Sequence, residues 1–498
     1  MDVVSICVAI FLLFVIWKAY ARPKGFPPGP RGVPLLGYIP FIKEHDPEHP
    51  FRAMMKLSDI YGPVVGFYMG PSQPFVSVCG FDAVREALHN DDLNGRPDLP
   101  AQRELTYGKK FGIKLADGHF WQEQRRFTLR HLRDLGFGTR SIENMIFDEI
   151  GQLLDEIEQS SGSSPHRIVN YRGIFNVSVV NILWTIAGGQ RFRRDDADFK
   201  KLLQTLNFVF RSGDSVKSIV PVPTFLLHLF PKLREYLGVR NNLLEELQRY
   251  FESVISEHDR TLREGEPRDF IDVYLEEVRR QKSTDSTFTV EQLICIIMDM
   301  FAAGAESVSN AIGFALLYLI HYPDVQRKMH EELDAVCGSS LPSLSMRIDL
   351  PYTEAVLMEA QRISNIAPVT IPHYAVRETK LNGFTIPKGS MVQINVHSVH
   401  NEVAYWKDPH VFRPERHLSA DGTIIRSEHL MPFAGGKRKC LGESLAKHNY
   451  YLFVTALIKT FKLSAVPGQP LPTLNPIEGF TLGYEGFQAV TQPRSSLP

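Results

Sequence analysis

Cysteine is scarce and scattered. The chain has five in 498 residues, Cys7, Cys79, Cys295, Cys337 and Cys440. The set is odd and holds no CxxC pair, which excludes a disulfide framework and a cysteine zinc site and suits a reducing compartment. Net charge is lacking too. Lys plus Arg at 55 against Asp plus Glu at 56 leave a formal charge of -1, so the whole-chain balance makes no case for nucleic acid or an acidic substrate. Any charged partner has to be met by a local patch. From residue 38 onward there is no internal repeat, charge block or low-complexity tract.

What is present is globular. Hydrophobic residues make up 44% of the chain and charged residues 22%, enough for a sizeable core. Length alone argues for about three domains at ~150 residues each, but the pattern argues for one unit. Leu243, Leu247, Phe251 and Val254 recur at helical spacing, and residues 292–321 are a long, mostly apolar helix. Strand-like pieces are few and lie toward the ends, at 64–68, 75–78, 392–396 and 488–490. Ser/Gly/Pro clusters at 160–165 and 338–342 read as loops. The expected fold is mainly α with small β-sheets, a single large domain over 38–498.

The first 37 residues differ from the body. Residues 3–17 are interrupted only by Ser5, and with Lys18, Ala19 and Tyr20 they reach eighteen residues. That is about 27 Å of helix, the core of a thin endoplasmic reticulum bilayer if Lys18 snorkels. Lys18, Arg22 and Lys24 follow the segment while only Met1 and Asp2 precede it, which leaves the body in the cytosol. Residues 1–21 therefore read as a membrane anchor. A cleavable signal peptide is the alternative, with Ala19-Tyr20-Ala21 as a small-x-small match, but the basic n-region is missing. Residues 22–37, which include Pro27-Pro28-Gly29-Pro30, exclude helix and central strand and form a stiff hinge.

The most informative segment is Phe433-Ala434-Gly435-Gly436-Lys437-Arg438-Lys439-Cys440-Leu441-Gly442, ahead of a helical stretch. Glycines around a lone cysteine let the backbone turn tightly against something flat, while Arg438 and the next helix's amides favour a thiolate. One thiolate cannot build a zinc or iron–sulfur site. It is enough for haem iron, because the porphyrin supplies the equatorial ligands.

Here the chain resembles the cytochrome P450 family of haem-thiolate monooxygenases, over nearly its whole length. The family's Phe-x-x-Gly-x-Arg-x-Cys-x-Gly is met by Phe433, Gly436, Arg438, Cys440 and Gly442. Its Glu-x-x-Arg is met by Glu359 and Arg362, and its Pro-Glu-Arg stretch by Pro414, Glu415 and Arg416. The resemblance implies that these lock the core as a Glu359–Arg362–Arg416 triad, with His417 a departure where relatives usually carry an aromatic residue. It also implies haem b held by Cys440 as the metal ligand, with Trp121, Arg125, Arg438 and His373 gripping its propionates. In Ala303-Gly304-Ala305-Glu306-Ser307, an acid, a hydroxyl and a glycine inside an apolar helix are expensive unless used. The family uses this place to admit dioxygen and relay protons, which makes Glu306 and Ser307 the catalytic pair. Ser307 stands where Thr is usual.

The anchor and hinge are similar to the microsomal branch. This implies an endoplasmic reticulum location, with electrons from an NADPH-cytochrome P450 reductase and cytochrome b5 as a further candidate donor. Arg125, Arg126, Arg130, Arg133, Lys437, Lys439 and Lys447 would form its docking patch. The expected substrate is lipophilic, because residues 219–229, rich in Val, Pro, Leu and Phe, are similar to the family's segment that dips toward the bilayer; an ordinary loop packed on the core is the other reading. Residues 121–142 are similar to insect members of the family, among them methyl farnesoate epoxidases of juvenile hormone synthesis, which gives methyl farnesoate epoxidation as the expected reaction. Alternatives are a broad-range xenobiotic or lipid hydroxylase and, in other classes, a haem-thiolate isomerase or dehydratase and a haem sensor.

Overall fold

The computed structural model describes Phe11 and residues 22–494, other than 35, 100–102, 104–105, 140–141, 162–166, 213–228, 231, 233–240 and 282–285. The anchor segment, apart from Phe11, and the 219–229 segment, apart from Leu229, therefore lie outside the described residues.

Helices dominate. In the first half they are α1 (Pro50–Tyr61), α2 (Phe81–His89), α3 (Gly118–Asp134), α4 (Glu143–Ser161), α5 (Asn176–Gly188), α6 (Ala197–Ser212) and α7 (Asn241–Thr261). They continue as α8 (Phe270–Arg280), α9 (Val290–His321), α10 (Pro323–Cys337), α11 (Pro351–Ser364) and α12 (Glu443–Thr460). The strands are β1 (Val64–Met69), β2 (Gln73–Val78), β3 (Ile168–Asn170), β4 (His373–Tyr374) and β5 (Thr379–Leu381). After them come β6 (Phe384–Ile386), β7 (Met391–Ile394), β8 (Phe461–Ser464) and β9 (Gln488–Pro493).

The central element is α9. It starts because the Thr289 side chain accepts a hydrogen bond from the Gln292 amide at 3.2 Å, satisfying one of the orphan donors of a helix start. It stops at Tyr322 because Pro323 cannot extend it and instead opens α10. Its 32 residues are long and apolar enough to cross a membrane, yet 83% of the most apolar window is buried inside the protein. It is a core helix. It packs against α5, α7, α11 and α12, and Ile312, Leu316, Leu317 and Leu319 are fully buried with Leu452, Phe453 and Val454 in one apolar cluster. Each such side chain contributes roughly 1.5–3 kcal/mol of burial.

The strands form a four-stranded sheet in the order β1-β2-β7-β4, a three-stranded sheet β3-β9-β8 and the hairpin β5-β6. β2 and β7 run parallel, with Val76 opposite Val392 and Val78 opposite Ile394. The strand expected over 392–396 ends at Ile394, because Asn395 caps a short helix, its side chain accepting from the Ser398 amide at 3.0 Å. Helix, sheets and loops pack as one large domain.

Candidate functional site

The cysteine loop is folded by its glycines and one hydrogen bond. Gly436 has φ +65°, and a Cβ there would lie 1.8 Å from the Leu88 carbonyl oxygen, so only glycine fits. The Cys440 amide donates to the Phe433 carbonyl at 3.1 Å, closing the loop just before Gly442, the N-cap of α12. Cys440 is exposed although protein surrounds its loop. The thiol is nonetheless crowded enough that burial pushes its pKa up, against the lowering influence of the Gly442 amide, Arg125 and Lys439. Of the groups expected to favour a thiolate, the Gly442 amide acts on the sulfur, and the cations that act on it are Arg125 and Lys439 rather than Arg438. A metal bound to a cysteine sulfur holds it as the thiolate.

Trp121 and Arg125 share a face of α3. The Arg125 guanidinium lies 5.8 Å from the Trp121 ring centre and donates to the Lys439 carbonyl at 2.6 Å, tying α3 to the cysteine loop. On the same ring, Arg438 stacks at 3.7 Å and donates through Nε and Nη2 to the Asn94 carbonyl at 2.9 and 2.6 Å. Its Nη1 is buried with no hydrogen-bond partner. His373 is buried beside them, with Nδ1 2.7 Å from the Leu93 carbonyl. Burial, with Arg96 and Arg438 adding to it, holds His373 far below the ordinary histidine pKa and therefore neutral.

Arg96 was not legible from motif spacing. It is fully enclosed, donating from Nε to the Lys114 carbonyl at 3.0 Å and from Nη1 to the carbonyls of Ile371 and Pro372, both at 3.0 Å. Burial pushes Arg96 down to about 10 and Arg438, with Arg96 next to it, down to about 8. Guanidiniums stay protonated in proteins, so these directions reflect the cost of burying charge beside like charge. Three cations crowd together, and Asp117 is the acid that weighs against them at Arg96 and Arg438. Such a cluster calls for an anion. A flat group carrying two carboxylates, with a metal facing the Cys440 sulfur, fits these residues, the unpartnered Arg438 Nη1 included.

The other candidate residues, Glu306 and Ser307, lie on α9. Ala303 is exposed in the middle of this otherwise buried helix, and Gly304 and Ser307 are half-buried. The Ser307 hydroxyl donates to the Ala303 carbonyl at 2.9 Å. Glu306 is buried, and its Oε2 accepts from Arg211 Nη2 at 2.7 Å and from Asn310 Nδ2 at 3.0 Å. The structure thus places Glu306 and Ser307 next to each other, but each is engaged elsewhere, and no hydrogen bond joins them among the described residues.

Behind the site, Glu359 and Arg362 pair through two hydrogen bonds of 2.8 Å. Arg416 Nε adds a third at 3.0 Å, the Arg413 amide a fourth at 3.0 Å and His417 Nε2 a fifth at 3.0 Å. His417 is a member of this network and not a bystander. The basic surface is sparser than its residue count. Lys437 pairs with Asp91 at 2.8 Å, and Lys439 and Lys447 both pair with Glu443 at 2.6 and 2.7 Å. Arg126, Arg130 and Arg133 of α3 are exposed.

Among the described residues, an exposed cysteine on a glycine turn with a cation cluster beside it, and an exposed Ala303 in the otherwise buried α9, suit a haem-thiolate oxidoreductase. The sequence model of the cytochrome P450 family matches residues 27–490, and the chain belongs to this family of monooxygenases, which use a haem iron with an axial cysteine thiolate. The chain is 33% identical to "Farnesoate epoxidase" of Bombyx mori over 495 residues, 99% of each chain. It is 33% identical to "Cytochrome P450 2G1" of Oryctolagus cuniculus over 485 residues, 96% of this chain and 95% of that one. The same identity relates it to "Cytochrome P450 2L1" of Panulirus argus, over 91% of both.

Proposed function

We propose that the protein inserts one oxygen atom of dioxygen into a lipophilic substrate, with methyl farnesoate, epoxidised to juvenile hormone, as the specific case. The general step follows from the family. The substrate rests on the full-length likeness to a farnesoate epoxidase, joined to the insect-type sequence at 121–142. The observation that carries the site assignment is the accessible Cys440 thiol flanked by guanidiniums with too little negative charge.

In this reading Cys440 would supply the thiolate ligand to the haem iron, and Arg438, Arg125, Trp121 and His373 would hold the propionates together with Arg96. The bound haem supplies dioxygen activation with electrons delivered from NADPH through a reductase. The chain supplies enclosure, orientation and protons. Ala303 and Gly304 keep the α9 wall low where dioxygen and substrate meet, and Glu306 and Ser307 move protons to that place. Residues 1–21 anchor the protein in the endoplasmic reticulum membrane, with 22–37 as hinge, and the exposed Arg126, Arg130 and Arg133 face an acidic reductase.

Recombinant protein incubated with reductase, NADPH and methyl farnesoate, beside a panel of unrelated lipophiles, tests the reading. Stereoselective epoxide is expected at the terminal double bond. No epoxide, or equal turnover across the panel, would transfer the assignment to a broad-range hydroxylase.

A further inference from the structure

We propose that Lys114 is a specificity-determining residue that donates a hydrogen bond to a neutral carbonyl oxygen at the polar end of the substrate. The proposal rests on the reading of the protein as an oxygenase of a lipophilic ester. Lys114 lies in the loop before α3, and its backbone is fixed on two sides. Its carbonyl accepts from Arg96 Nε at 3.0 Å, which sets it against the cation cluster. Its amide and that of Ile113 donate to Asp299 Oδ2 at 2.9 and 2.8 Å, which sets it against α9. Asp299, Ala303 and Ser307 recur every fourth residue and so share one face of that helix. Lys114 therefore spans the interval between the residues that would hold the propionates and the Ala303 turn of α9.

The side chain has donors to spare. Lys114 Nζ lies 3.6 Å from Asp299 Oδ1 and 5.9 Å from the centre of the Phe480 ring, and among the described residues it makes no hydrogen bond. The Lys114 and Asp299 side chains are 37% and 18% exposed, Phe480 is half-exposed, and Ala303 is exposed on a helix that otherwise lies inside the protein. These residues border one hollow, apolar at Phe480 and Ala303 and polar at a single spot. A polar group so placed fixes the orientation of an apolar ligand. Asp299 decides which oxygen the ammonium takes. The pair is already neutral, so a free carboxylate would meet the Asp299 charge, whereas an ester carbonyl accepts the hydrogen bond and adds no charge. The ligand class is a long apolar chain ending in an ester. Its free acid is rejected by the extra charge, and the bare hydrocarbon gains nothing from the ammonium.

The experiment uses full-length, haem-loaded protein and its Lys114→Met, Lys114→Arg and Asp299→Asn variants. Binding of methyl farnesoate, its free acid and the corresponding hydrocarbon without the ester is read from the shift of the haem absorption band, and KM and kcat are measured with reductase and NADPH. The wild type is expected to bind the ester more tightly than the hydrocarbon by about tenfold or more, as for a hydrogen bond to a charged group. Lys114→Met should lose most of that difference, through KM more than kcat and with hydrocarbon binding unchanged, and Lys114→Arg should recover it. Asp299→Asn keeps an oxygen for the two amides and removes the charge, so it should shift preference toward the free acid. Equal weakening of ester and hydrocarbon in Lys114→Met, or ester binding that does not change, overturns the proposal. So does loss of haem, which would make Lys114 a propionate partner. Ester bound through Lys114 but not epoxidised supports the contact and sinks methyl farnesoate epoxidation, whereas epoxidation indifferent to Lys114 keeps that reaction and overturns the contact.

Discussion

Replacing Glu359 by Gln should destabilise the protein strongly while leaving the residues around Cys440 untouched. Glu359 and Arg362 are both fully buried, and Arg416 is 5% exposed. Burial pushes the Glu359 carboxyl up, but hydrogen bonds from Arg362, His417 and the Arg413 amide more than reverse this and hold it at about 2 against an ordinary 4.5. That shift corresponds to about 3 kcal/mol at ~1.4 kcal/mol per unit. Removing one partner of a buried pair costs ~3–5 kcal/mol by an independent route, so the two estimates agree. With an unfolding entropy of ~2.1 cal/mol/K per residue, a chain of this size changes Tm by roughly 1 °C per kcal/mol. Calorimetry of Glu359→Gln at pH 7 should therefore show a Tm lower by ~3–5 °C. The folded pKa is depressed, so this stabilisation is fully present above the unfolded value of 4.5 and is lost as pH falls toward about 2. The gap between wild type and variant should narrow below pH 4.5. A Tm change under ~1 °C, or a gap that does not narrow with acid, would refute the reasoning.

Other expected outcomes follow from the same geometry. Cys440→Ala should abolish the red-shifted Soret band of the reduced carbon monoxide complex, and its retention would sink the ligand assignment. Arg96→Leu should weaken haem retention in a transfer assay to apomyoglobin, because it removes a fixed cation while filling the space with apolar atoms; faster loss is the expected reading, by roughly tenfold or more for a lost charged hydrogen bond. Ser307→Ala should keep haem but release more peroxide per NADPH, and an unchanged product yield would remove Ser307 from the proton path. Deletion of residues 2–21 should free the protein from carbonate-washed membranes with its haem spectrum intact, whereas membrane retention would place the attachment elsewhere.

The legible parts of the molecule were those encoded by local spacing. The Gly436-to-Gly442 turn and the Glu359–Arg362 pair each sit within one loop or one helical turn, so residue identity and interval suffice to find them. The long helix is visible from its apolar run, and β1, β2, β7 and β9 were found within two or three residues of their ends. Long-range placement was not legible. Arg96 looks like any loop arginine until the Ile371–Pro372 backbone closes over it, and Arg211 meets Glu306 across 95 residues of chain. His417 reads as a mismatch in a motif, yet the folded chain turns its ring onto Glu359. Lys437 looked free because its acid, Asp91, lies 346 residues away in the chain, whereas Glu443 is one helical turn from both Lys439 and Lys447 and was within reach of local spacing.

The parallel pairing of β2 with β7 has a bearing on how the chain reaches its native state. Residues 73–78 wait for residues 391–394, and no β-hairpin turn can deliver them. During synthesis, Phe75, Val76 and Val78, all buried at the end, hang on an open edge while some three hundred further residues emerge. Non-local closure of this kind is slow and leaves strand edges exposed to neighbouring chains. The N-terminal sheet is therefore a late-maturing part of the molecule, and pulse-labelled nascent chains truncated before residue 391 should aggregate through it.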